Sequence, residues 1–138
     1  MQAVLVVDDD ENYRELVVLT LEDECGVLPV HGFAGAAALL RHLDGGGAEP
    51  PRLVLLDLHM PDMDGLELMR QIRQRHPGLP VAFLSGAARP EERAACLAAG
   101  ATAFLQKPAA YPELVHALGE LVRSLPGSDP SAASPSVK

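Results

Sequence analysis

The sequence predicts an α/β fold class: a doubly wound, five-stranded parallel sheet flanked by five helices. Two observations carry that expectation. Short apolar runs without polar alternation recur along the chain, as strands buried on both faces require. Segments of helical periodicity separate them, and such alternation across short loops implies right-handed βαβ units. The size agrees. A chain of 138 residues is one domain, and at 48% hydrophobic it can bury an ordinary core without staples. Aromatics make up 4% and there is no Trp, so Leu, Val and Ala must build that core.

Residues 3–7 (AVLVV) are the first apolar run. Asn12 to Glu24 then places Tyr13, Leu16, Val17, Thr20 and Leu21 at helical spacing. Residues 27–31 (VLPVH) read as a second strand, which Pro29 demotes to a sheet edge. Ala36, Leu39, Leu40 and Leu43 repeat as a helix, and DGGGAEPP, residues 44–51, reads as a loop. Leu53 to Leu56 is a strong apolar run that ends on Asp57. Leu66, Met69, Ile72 and Arg73 follow as a helix closed by His76, Pro77 and Gly78. Val81 to Leu84 ends on Ser85, and Pro90 to Ala99 is an Ala-rich helix stopped by Gly100. Ala101 to Leu105 ends near Lys107. Leu114, Val115, Leu118, Leu121, Val122 and Leu125 make the cleanest amphipathic helix. The folded domain is therefore expected over 1–125. From Pro126 the chain turns polar and rich in Pro and Ser, so 126–138 reads as a disordered tail or linker.

Composition excludes several function classes. A formal net charge of −8 argues against direct nucleic-acid binding and against an anionic membrane surface. Cys25 and Cys96 show no metal or disulfide spacing and read as reduced, packed thiols of a cytoplasmic protein. The N-terminus lacks the basic and long apolar regions of a signal peptide, and no apolar stretch is long enough to span a membrane.

The polar residues gather at the strand ends. Asp8, Asp9 and Asp10 follow the first strand, Asp57 ends the third, Ser85 ends the fourth, and Lys107 follows the fifth. In an open parallel sheet all these ends share one edge, where ligands bind. Any one of them alone has a plain structural role: an acidic run caps a helix, and a lone Ser or Lys decorates a loop. Their joint placement is the signal. Carboxylates packed together repel, and a hard cation such as Mg²⁺ relieves the repulsion with oxygen ligands and waters. An Asp carboxylate is also a nucleophile toward phosphorus and needs no general base. A lysine and a hydroxyl beside it would stabilise the charge on a transferring phosphoryl group.

The motifs VLVVDDDENYREL, LLDLHMPDMDGLELMRQIR, VAFLSG and AGATAFLQKP stand in this order. Over about residues 2–125 the sequence closely resembles the receiver (CheY-like) domain of two-component response regulators. The resemblance implies a flavodoxin-like sheet of order 2-1-3-4-5. It makes Asp57 the phosphoacceptor, fed by a histidine kinase or phosphotransfer protein. Asp9 and Asp57 would bind Mg²⁺ directly, Asp8 through water, and His59 through its backbone carbonyl. Ser85 would be the switch hydroxyl, Phe104 the switch aromatic, Lys107 the phosphate-binding cation, and Lys107–Pro108 a cis peptide. The output would be a docking surface for an effector protein or output domain, with room for a phosphorylation-dependent homodimer. Ala109 departs from the aromatic common after the Lys-Pro pair, and the His59 side chain is read as lying on the pocket rim. Asp10 is read as a helix cap, and Asp62 and Asp64 as turn residues around Gly65. His31, His42, His76 and His116 show no metal spacing.

Two other readings compete. A haloacid-dehalogenase-type phosphatase would place its nucleophile after the first strand, and Asp8-x-Asp10 fits that loosely. It also needs a late acidic pair, which Glu113, Glu120 and Asp129 do not form. A non-phosphorylated docking scaffold would have no need of the full acidic and lysine set.

Overall fold

The computed structural model describes residues 2–45 and 50–125. The tail expected at 126–138 and the centre of the 44–51 loop lie outside the described residues. Five strands form one sheet: β1 (Val4–Val7), β2 (Val30–Phe33), β3 (Leu53–Leu56), β4 (Val81–Ser85) and β5 (Ala103–Gln106). Five α-helices alternate with them: α1 (Glu11–Leu19), α2 (Ala36–Asp44), α3 (Gly65–Arg75), α4 (Pro90–Ala98) and α5 (Tyr111–Arg123). All pairings are parallel, in the order β2-β1-β3-β4-β5. The doubly wound architecture expected from the sequence is the one observed.

Burial follows that order. Every residue of β1, β3 and β4 is buried, which is why these strands read as unbroken apolar runs. The edge strands β2 and β5 are only partly covered. Neighbouring strand residues point to opposite faces. Val4, Val6, Leu53 and Leu55 pack with Val17 and Leu21 near α1 and with Leu114, Leu118 and Leu121 of α5. Leu5, Val7, Val54 and Leu56 pack with Leu39 of α2, Leu68, Met69 and Ile72 of α3, and Cys96 of α4. Among the described residues, no helix is long and apolar enough to cross a membrane.

Three boundaries differ from the sequence expectation, each for a local reason. β2 begins at Val30, because Pro29 has no N–H to give the ladder and offers only its carbonyl, which accepts from Val4 at 3.1 Å. β5 begins at Ala103, because the Ala101 amide closes α4 by donating to the Cys96 carbonyl at 3.1 Å. The first helix ends at Leu19 and continues as a π-helical turn over Thr20–Glu24, where the Cys25 amide reaches back to the Thr20 carbonyl. Gly100 stops α4 as expected, with a φ of +108° that disfavours a side chain.

Gly65 fixes how closely α3 approaches the end of β3. A Cβ there would lie 2.8 Å from the Asp57 carbonyl oxygen, 2.9 Å from Leu58 Cα and 3.0 Å from the Phe83 ring. Two of those neighbours are backbone and cannot step aside. Gly65→Ala is therefore expected to destabilise the fold by about 2–3 kcal/mol, as overpacking does. Urea unfolding with an unchanged m-value checks this; a loss under ~0.5 kcal/mol would show that α3 retreats freely.

Candidate functional site

The site grows from the sheet's hydrogen-bond ladder. The Asp8 amide donates to the Phe33 carbonyl at 3.1 Å, and the Asp57 amide to the Val7 carbonyl at 3.0 Å. These bonds carry the β1 pairings one residue past the strand ends. They set the two aspartates side by side at the C-terminal edge. Asp8 is 4% exposed and Asp57 is 8% exposed. Asp9 is on the surface, yet Asp8, Asp9 and Asp57 each bring a carboxylate oxygen within 4.8 Å of the others. Three hard oxygen donors at that spacing suit a divalent cation such as Mg²⁺.

Lys107 enters from the loop after β5, where its amide donates to the Ser85 carbonyl at 2.8 Å. Its ammonium lies 2.9 Å from Asp8 Oδ2 and 3.5 Å from Asp57 Oδ2. The Lys107–Pro108 peptide is trans, where the resemblance implied cis; among the described residues the cis bond is Leu28–Pro29. Trans is the lower-energy form for X–Pro, and the lysine reaches both carboxylates without the alternative. Burial pushes the Asp57 carboxyl above the usual range; Lys107 draws it back in part, and Asp8 adds to the rise. For Lys107, burial acts to lower the pKa, but the Asp8 hydrogen bond and the charges of Asp57 and Asp8 outweigh it, so the net direction is up.

Ser85 ends β4 at 1% exposure, and its Oγ has no hydrogen-bond partner among the described residues. Phe104 on β5 is half-buried, its ring 5.7 Å from that of Phe83. Ser85 and Phe104 line a cleft of about 410 Å³ with Arg89, Pro90 and Arg93 from the start of α4. The His59 side chain is exposed, with Nε2 3.5 Å from Glu92 Oε1. Its amide lies 3.4 Å from Asp57 Oδ1. Glu92 in turn accepts the Arg89 amide at 2.9 Å, so the loop after β3 meets the start of α4.

Other acidic residues are committed to structure. Asp10 caps α1 by accepting from the Tyr13 amide at 3.1 Å, which takes it out of any Asp8-x-Asp10 catalytic pair. Asp64 caps α3 through the Leu66 amide at 2.9 Å. Asp62 lies in the bend after β3 and does more than turn the chain: its two oxygens accept from the Ala36 and Ala37 amides at 3.3 Å and so cap α2. Sequence reasoning missed that cap, since the residue just before α2 is Gly35, with no side chain of its own to offer. It also missed Tyr13, read only as a helix-core position, and Arg14, whose guanidinium donates to the Asp8 carbonyl at 2.8 Å. The one available signal was their place in the first turn after the acidic run.

A family model described as the response regulator receiver domain matches residues 4–119. The chain belongs to this family. Response regulator MprA of Mycobacterium avium (strain 104) is 36% identical over 125 residues, covering 87% of this chain and 50% of the relative. The receiver thus spans about half the length of that regulator. The "uncharacterized 14.6 kDa protein in sodA1 3′ region" of Leptolyngbya boryana is 36% identical over 125 residues, covering 89% of this chain and 92% of its own. Among solved structures, the chemotaxis protein CheY4 of Vibrio cholerae matches with a TM-score of 0.72 at 28% identity, covering 87% of this chain and 98% of that one. A receiver domain is not an enzyme acting on a separate substrate, which removes the phosphatase alternative.

The raised Asp57 pKa has a stability consequence. A group whose folded pKa is raised contributes stability that is full below its unfolded value, about 3.9, and is lost as pH climbs through the folded value. Near neutrality the ionised Asp57 therefore weakens the fold. In metal-free buffer at pH 7, Asp57→Asn should raise stability and with it the Tm. The gain should vanish below about pH 4. Thermal melts across pH check it; a destabilised Asn variant at pH 7 would reverse the sign argued here.

Proposed function

We propose that this receiver works in the cytoplasm and accepts a phosphoryl group on Asp57 in a Mg²⁺-dependent reaction with a histidine kinase or phosphotransfer protein. The observation that carries this reading is the buried Ser85 hydroxyl without a partner among the described residues. Leaving such a group unpaired costs about 1–3 kcal/mol, which makes sense where an acceptor oxygen arrives from outside the chain. An Asp57 carboxylate oxygen attacks phosphorus, forming the P–O bond as the P–N bond to the donor imidazole breaks. Asp9, Asp57, the His59 carbonyl and, through water, Asp8 would hold Mg²⁺, which supplies charge neutralisation at the transferring group.

The chain's own residues do the rest. Lys107, already within reach of Asp57, turns its ammonium to a phosphoryl oxygen. Ser85 donates its free hydroxyl to another. Its displacement lets Phe104 turn in from the cleft it lines with Arg89 and Pro90, and that repacks the face made by α4, β5 and α5. A mostly-off to mostly-on switch needs ~5 kcal/mol of differential stabilisation, while one charge-assisted hydrogen bond gives roughly 1.5–3. Lys107, Ser85 and the cation must therefore act together. The repacked face would meet an effector protein or output domain, or a second copy of the chain.

With acetyl phosphate and Mg²⁺, the wild-type chain should become labelled and Asp57→Asn should not. Ser85→Ala should be labelled yet fail to change its α4–β5–α5 amide spectrum on labelling, and should unfold no more readily than wild type. Full labelling of Asp57→Asn would sink the acceptor assignment. A wild-type spectral change in Ser85→Ala would sink the switch role.

A further inference from the structure

The first turn of α1 is tied to the site at two points. Asp10 caps it through the Tyr13 amide at 3.1 Å, and Arg14 bonds the Asp8 carbonyl at 2.8 Å. These ties fix where the Tyr13 ring stands. The Lys107 ammonium lies 4.5 Å from the centroid of that ring, within cation–π range. On its way there the lysine stem passes Gly86, where an added Cβ would sit 3.6 Å from Cδ. The ammonium thus has three neighbours: Asp8 at 2.9 Å, Asp57 at 3.5 Å, and an aromatic face.

We infer that Tyr13 is a positioning residue for Lys107, its ring face holding the ammonium between Asp8 and Asp57. The inference rests on the phosphoacceptor reading for its effect on rate, though not for the placement itself. Asp8 alone would draw the ammonium to itself, since it already holds the shorter contact. An aromatic face attracts a cation without offering it a localised negative charge to collapse onto. The ring therefore keeps Lys107 desolvated and aimed, yet free to move to an arriving phosphoryl oxygen.

A purely structural role for Tyr13 is the competing account, because the ring also packs against the core beneath α1 and α5. The contact of the ring face with Lys107 separates the two. The Tyr13 hydroxyl is buried with no hydrogen-bond partner among the described residues, so it makes no polar contact in either account. Burial first, and Asp8 beside it, hold the phenol's pKa above its ordinary value against the pull of Lys107, so the ring stays neutral at physiological pH. The ring face is then the part in use, and Phe supplies it equally well.

The test uses Tyr13→Phe and Tyr13→Leu in the full chain, with two readouts. The first is the proton chemical shift of the Lys107 ε-methylene group, which a nearby ring face moves upfield. The second is the initial rate of labelling by acetyl phosphate with Mg²⁺. Tyr13→Phe should keep both the upfield shift and the wild-type rate. Tyr13→Leu should lose the shift and label roughly three- to tenfold more slowly, while its amide spectrum elsewhere shows the fold intact. An unshifted Lys107 in wild type, or equal rates for all three proteins, overturns the inference. If Tyr13→Leu does not fold, slow labelling or a lost shift in Tyr13→Phe overturns it instead. If wild type is not labelled at all, the phosphoacceptor reading and the rate effect fall together, and the shift comparison still decides the placement.

Discussion

The Lys107 ammonium serves two nearly buried carboxylates at once, and the site depends on that arrangement. Ladder bonds from Asp8 to Phe33 and from Asp57 to Val7 force the aspartates together at adjacent strand ends. Two like charges taken out of water cost several kcal/mol unless a counter-charge accompanies them. The lysine provides it from the loop after β5, on the far side of β4. Folding the sheet in this order therefore assembles the charge problem and its partial solution in the same step. Burial, with the Asp8 charge adding to it, still holds the Asp57 pKa up, and the cluster suits a divalent cation.

The rest of the architecture serves this edge. Gly65 lets α3 press against the Asp57 and Leu58 backbone, which leaves Asp57 little room to shift. Arg14 ties α1 to the Asp8 carbonyl, and Asp62 reaches from the loop after β3 to cap α2. Two costly features of this edge are a carboxylate that burial disfavours and a serine hydroxyl with no partner among the described residues. Both would be relieved by the same event, arrival of a phosphoryl group with its cation. That coincidence is the physical argument for the proposed switch: the unphosphorylated state carries costs that a phosphorylated one would remove.

The fold was legible because both core layers write their period into the chain. The runs Leu53 to Leu56 and Val81 to Leu84 are observed as β3 and, with Ser85 added, as β4, since central strands are apolar on both faces. Pro29 correctly marked β2 as an edge but hid its start, because a proline can accept a ladder bond without donating one. The site was legible only in part. Asp8, Asp9, Asp57 and Lys107 stood out because topology sends strand ends to one edge. Asp62 capping α2 and Tyr13 facing Lys107 did not stand out, for those contacts join segments far apart in sequence and follow no local pattern. The cis peptide implied at Lys107–Pro108 came from resemblance alone, and the backbone there is trans.

The central claim is that one carboxylate, that of Asp57, carries the phosphoryl group. An acyl phosphate is reduced by borohydride to an alcohol, which would turn a phosphorylated aspartate into homoserine. The chain should be treated with acetyl phosphate and Mg²⁺, reduced, digested and sequenced by mass spectrometry. The account predicts homoserine at position 57 alone. Homoserine at position 8 or 9, or at none, would contradict it.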